Sequence, residues 1–146
     1  MTNADPIVVG VDGSKESRKA LVWACEQAQR CDLPVTVIST WTEPTLPIDP
    51  PFGSFPSGAG TGIDRVGDTR TMLGKIVDEI SVDYPKVEMR QHVQAGNAAQ
   101  ELIERSEHAD LVVVGSKGHG GFAGMLVGSV SQHVLAHSAC TVVVVR

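Results

Sequence analysis

The 146-residue chain has no acidic residue beyond Asp110, because all 17 Asp and Glu fall at or before that position. Residues 111–146 carry Lys117, His119, His133, His137 and Arg146 instead. A segment made of buried strand and glycine-rich loop would be poor in acids in any case. An anionic ligand held there would exclude them too. Both readings stand on sequence alone.

Other absences narrow the class. No apolar stretch approaches the roughly 20 residues that cross a bilayer. No basic start followed by an apolar run stands behind Met1, so no secretory leader is expected. A net charge of −5 and a pI near 5.4 argue against coating nucleic acid by bulk charge. The three cysteines, Cys25, Cys31 and Cys140, are odd in number and lack metal-ligand spacing. That usage fits a reduced, cytoplasmic compartment and a packing role. The 15 Gly and 8 Pro are too few for a disordered or collagen-like chain. The length predicts one domain over 1–146.

What is present reads as alternating strands and helices. Ile7–Val11 is an apolar run that ends at Asp12-Gly13-Ser14, a strand entering a turn. Ser14 is placed to cap a helix in which Leu21, Ala24, Cys25 and Ala28 recur at helical spacing. The β-branched run Val35–Thr40 follows Pro34. A Pro/Gly-rich loop is then expected at 42–64, unusual in length and more often a lid or insert than a connector. Met72, Leu73, Ile76 and Ile80 restore a helical period that stops at Tyr84-Pro85.

Val87, Met89, Gln91 and Val93 alternate with polar residues, as in a partly wet edge strand. Asn97 and Gln100 resemble a capping box for the next helix, and Ser129 and Gln132 resemble another. Leu111–Gly115 has the apolar character of a buried parallel strand, and Thr141–Val145 is a fifth strand. The alternation predicts an α/β fold, an open doubly wound parallel sheet with helices on both faces.

Such sheets bind ligands beyond the carboxyl ends of strands, where the strand order reverses. Two turns have a suitable composition: Asp12-Gly13-Ser14, and the run Gly115-Ser116-Lys117-Gly118-His119-Gly120-Gly121. Gly115-x-x-Gly118 is followed by Gly128-Ser129, which opens a helix. Missing Cβ atoms let amides approach an oxyanion, and a helix N-terminus favours negative charge. Lys117 reads as a phosphate counter-charge or as a solvated loop lysine. Asp12 reads as a ligand group or as an Asx turn. Ser129 reads as a ligand group or as the cap of its helix.

The spacing G-x2-G-x9-G-S, met by Gly115, Gly118, Gly128 and Ser129, resembles the nucleotide-binding universal stress proteins, and so does the opening Ile7–Ser14. The resemblance covers nearly the whole chain. It implies the strand order 3-2-1-4-5 of the adenine nucleotide alpha hydrolase-like fold, with first and fourth strands adjacent. It also implies ATP binding, with Asp12 near the ribose, the Thr40 backbone at the adenine, Gly115 to Ser129 around the triphosphate, and Val130 as a further phosphate-loop position. It further implies a homodimer, with the apolar edge Thr141–Val145 pairing with its copy. The expected role is a nucleotide-dependent switch in a stress response, with Mg²⁺ left open and the 42–64 loop ordered by ligand.

Several chemistries lack their residues. Gly74-Lys75 is followed by Ile76, so there is no P-loop, and no G-x-S-x-G elbow occurs. Asp12 is the one acid at the expected crevice, which leaves no acid–base pair. Slow ATP hydrolysis or autophosphorylation is the most that is expected, with no catalytic residue and no metal site assigned. His133 and His137 stand at i, i+4, but Val134 replaces the Glu of a metalloprotease helix. Trp41 reads as packing before adenine stacking. A dimer that works by protein contacts alone and an AMP or cyclic AMP binder are the alternatives. A nucleotidyl-transfer enzyme would need a histidine motif at the first turn, which is absent.

Overall fold

The computed structural model describes residues 4–42, 45–47, 54–56, 64–117 and 127–146. In chain order these form β1 (Ile7–Gly10), α1 (Lys15–Cys31), β2 (Val35–Trp41), β3 (Thr45–Pro47), β4 (Ser54–Pro56), α2 (Arg65–Ser81), β5 (Met89–Ala95), α3 (Ala98–Ser106), β6 (Leu111–Gly115), α4 (Ser129–His137) and β7 (Thr141–Val145).

Five strands make one parallel sheet in the order β5-β2-β1-β6-β7. This is the expected 3-2-1-4-5 once the β3–β4 pair is set aside. Within the Pro/Gly-rich segment, to which the sequence analysis assigned no strand, that pair forms a short antiparallel ladder with Leu46 opposite Phe55.

Side-chain alternation along the strands divides the core in two. Ile7, Val9, Val35, Val37 and Val113 pack beneath Ala20, Leu21, Ala24 and Cys25 of α1 and Leu73, Ile76 and Val77 of α2. Val8, Ile38, Val112 and Val114 pack on the other face against Ala99 and Leu102 of α3 and Val134 of α4. Both faces of the central strands are thus covered, which is why β1 and β6 read as unbroken apolar runs.

Helix starts follow local chemistry. The Ser14 hydroxyl accepts from the Ser17 amide at 3.2 Å, and Asn97 Oδ1 accepts from the Gln100 amide at 3.1 Å. The Gln100 side chain turns to Glu104 rather than back to Asn97, so only half of the expected capping box forms. Helix α2 starts earlier than its apolar period, at Arg65, because Asp64 caps it through the Gly67 amide at 2.9 Å. The third sheet strand starts later, at Met89, since Val87 closes a turn onto the Tyr84 carbonyl. At α4 the cap is Gly128, and Ser129 is the first helical residue, which corrects the expected Ser129 cap. Gln132 Nε2 donates to the Val127 carbonyl at 3.2 Å instead.

Among the described residues no helix is long and apolar enough to cross a membrane. Cys25 is fully buried, and burial pushes its thiol up to about 11. Cys31 is exposed.

Candidate functional site

The sheet order reverses at β1, whose neighbours are β2 and β6. Val8 pairs with Val112 and Val9 with Val113, so the turns after β1 and β6 leave the sheet side by side. The adjacency predicted for Asp12 and Gly115 is therefore present.

Asp12 Oδ1 accepts from the Ser14 amide at 2.9 Å, and Gly13 takes a positive φ of 87°. The carboxylate builds the Asx turn while remaining exposed at the sheet end. The Asp12 amide points toward the Ser17 hydroxyl, at 3.4 Å.

Gly115 has a packing role. A Cβ there would lie 2.8 Å from the Glu16 carbonyl carbon, so glycine is what lets the first turn of α1 rest against the end of β6. The missing side chain faces α1, on the sheet side opposite α3 and α4. Its carbonyl accepts from the Ser131 hydroxyl at 2.6 Å. The Ser116 amide donates to the Val145 carbonyl at 2.8 Å, and the Ser116 carbonyl accepts from the Gly128 amide. The chain leaving β6 is thereby brought back to its own base at the start of α4.

Lys117 is half-buried and makes no salt bridge among the described residues. Gly118 lies outside the described residues. Thr40 is half-buried near the end of β2, opposite Gln94 of β5. Strand alternation puts Thr40 on the face of α3 and α4, and Trp41 on the α1–α2 face. Ser129 and Val130 open α4 and are exposed.

A groove of about 630 Å³ runs between α3 and α4. Asn97, Gln100 and Glu104 form one wall and Ser129, Val130 and His133 the other, with Ile103 between. It is an open surface groove rather than an enclosed cavity. The N-terminal turns of both helices contribute to it, and unpaired first-turn amides with the helix dipoles favour negative charge there. The carboxylate of Glu104 stands further along α3 and accepts from Gln100 Nε2 at 3.1 Å. Sequence reasoning named Ser129 and Val130 as phosphate-loop positions at the strand ends, and named no residue of the α3 wall as part of a site. Asn97 and Gln100 were visible only as a cap, and nothing in their spacing shows which helix faces α4.

The His133 and His137 rings sit 6.0 Å apart and tilted by 38°. Among the described residues no group of three or more His, Cys, Asp or Glu could hold a metal ion. His92, on the edge strand β5, has its pKa lowered by partial burial and then by the Arg105 charge, with Glu101 opposing and Arg90 adding to the fall.

The universal stress protein family model matches residues 3–146. Universal stress protein Rv2623 of Mycobacterium tuberculosis is 36% identical over 145 residues, covering 97% of this chain and 45% of that protein. The chain thus spans about half the length of the curated relatives it matches. Among solved structures, universal stress protein UspA from Lactobacillus plantarum superposes with a TM-score of 0.80 at 18% identity, covering 100% of both chains. A universal stress protein in complex with cAMP gives 0.71 at 22% identity, covering 99% of both. The Archaeoglobus fulgidus universal stress protein in complex with dAMP gives 0.71 at 21% identity, covering 99% of this chain and 100% of that one. These structural likenesses bear on the fold, and the sequence-family match goes further: this chain belongs to the universal stress protein family.

Proposed function

We propose that the chain binds an adenine nucleotide at the carboxyl ends of β1 and β6 and acts as a nucleotide-dependent switch in a stress response. The observation that carries this reading is the tied base of the glycine-rich segment, where Ser116 and Gly128 meet at the N-terminus of α4. The N-terminus of α4, with its first-turn amides and helix dipole, is thereby held beside the end of β6, which suits a phosphate. In this reading Asp12 contacts the ribose from its Asx turn, and the Thr40 backbone reads the adenine. Gly118, Gly128, Ser129 and Val130 surround phosphate, while Lys117 supplies charge. Gly115 acts indirectly by seating α1.

A nucleoside monophosphate or cyclic AMP is the first choice of ligand, because two proteins of the same fold are described in complex with cAMP and dAMP. ATP, with Mg²⁺ as its companion, is the second reading, favoured by the G-x2-G-x9-G-S spacing. The proposed mode is binding without rapid turnover, in a cytoplasmic homodimer paired through Thr141–Val145.

Calorimetry with cAMP, AMP and ATP tests the reading. Asp12→Ala is expected to weaken the bound nucleotide at least tenfold, on the order of 1.4 kcal/mol. Unchanged affinity in that variant, or no affinity for any of the three in the wild type, contradicts it.

A further inference from the structure

Helix α4 carries two imidazoles on one face of its C-terminal half. His133 and His137 stand one turn apart and are both exposed, with ring centroids 6.0 Å apart and planes tilted by 38°. Two rings sharing one ion through metal–nitrogen bonds of about 2.0–2.1 Å have centroids at most roughly 6.4 Å apart, and about 4.5–5 Å apart at a tetrahedral or cis-octahedral ion. The observed spacing lies inside the outer limit, and side-chain rotation of two exposed rings covers the remaining roughly 1–1.5 Å. His137 is the last helical residue, so the pair sits where the helix dipole favours a cation. The helix has no Lys or Arg to repel one. On the facing helix α3, Glu104 lines the groove that His133 borders.

Independently of the nucleotide reading, we propose that His133 and His137 form a two-ligand chelate for a borderline divalent transition cation of the Zn²⁺ or Ni²⁺ type, with water completing the coordination. Imidazole nitrogen suits these ions, whereas Mg²⁺ and Ca²⁺ take oxygen ligands. The two rings converge only while α4 is helical, so the bound ion stabilises that helix over its unfolded form. Helix α4 is short of other supports: it has nine residues, no acid in its first turn, and a Gly128 cap with no side-chain hydrogen bond. Val134 is buried where a metalloprotease helix carries its Glu, so α4 supplies no general base beside the ion. The site therefore binds and stiffens, without hydrolytic chemistry.

The test is titration of the full chain, of His133→Ala, of His137→Ala and of the double variant with Zn²⁺, followed by calorimetry and by the NMR shifts of the imidazole nitrogens, with Mg²⁺ as the control ion. Both side chains are exposed, and thermal melting confirms that each variant folds. The expected result is one Zn²⁺ that shifts both rings together, while Mg²⁺ shifts neither. Each single variant should weaken that site at least tenfold, and the double variant should lose no more than about a further twofold, the non-additivity of a shared ligand. Zn²⁺ should also raise the thermal midpoint more in the wild type than in either single variant. No saturable Zn²⁺ binding, a shift at one ring alone, or losses that simply add would overturn the proposal. Equal binding by all four proteins, as at the exposed Cys31, would overturn it too. None of these outcomes touches the nucleotide reading.

Discussion

The Ser131 hydroxyl donates to the Gly115 carbonyl at 2.6 Å, tying the end of β6 to the second turn-forming serine of α4. Together with the Gly128 amide on the Ser116 carbonyl, it fixes both ends of the glycine-rich segment independently of any ligand.

The first prediction concerns Gly115. Gly115→Ala forces a methyl within 2.8 Å of Glu16 backbone, so either α1 or the end of β6 must shift. A loss of about 1–3 kcal/mol in urea unfolding is expected, the usual range for overpacking. Gly10→Ala meets the Leu102 Cδ1 at 2.9 Å, a side-chain tip that can rotate away, and is expected to cost less. Equal costs at the two positions would contradict the packing role of Gly115.

Cysteine reactivity should separate cleanly. Cys25 is buried with its thiol held up at about 11, while Cys31 is exposed near the end of α1. Alkylation of the native protein followed by mass spectrometry should modify Cys31 well before Cys25, since the thiolate is the reacting form. Cys25 should react only when the chain unfolds. Comparable native rates would refute the burial argument.

The pH dependence of stability has a definite sign at His92. Its folded pKa lies below the ordinary 6.5, chiefly through partial burial and the Arg105 charge. The unfolded chain therefore binds the proton more readily, and stability rises with pH across the window between the folded and unfolded values. The contribution is complete above about 6.5 and is lost as pH falls through the folded value. His92→Gln should flatten the stability curve in that window, measured by urea unfolding between pH 5 and about 7. A slope unchanged from wild type would show that other groups govern it.

Strand β7 is a sheet edge with its four valines half-buried. Pairing with a second copy would cover it. Val143→Lys with Val145→Lys should give a monomer where the parent gives a dimer by light scattering. A variant still at the dimer mass would rule out this edge as the interface.

Much of the fold was legible because the central strands are buried on both faces. Val8 and Val9 face opposite cores, so β1 shows no alternation and reads at once as a parallel strand, and β6 does the same. Edge strand β5 is wet along most of its length, and only the half-buried Met89 and Val93 mark its inner face. The caps at Ser14 and Asn97 were readable from residue type and spacing. Helix α4 was harder, since Gly128 caps without a side chain and Ser129 mimics a cap one position late. The site was legible as a motif, and its meaning was divided: Gly115 belongs to the packing of α1, and the Asp12 carboxylate to a turn as well as to the crevice. The α3 wall of the groove was invisible in the sequence, because Gln100 and Glu104 meet Ser129 and His133 only through tertiary packing.

Amide chemical-shift mapping during titration with cAMP and with ATP tests the central claim most directly. The account predicts saturable shifts concentrated at Asp12–Ser14, Thr40, Gly115–Lys117 and Gly128–Val130, with little change at the far ends of the strands near Ile7 and Leu111. No saturable shift with either nucleotide, or shifts centred away from the ends of β1 and β6, would contradict it.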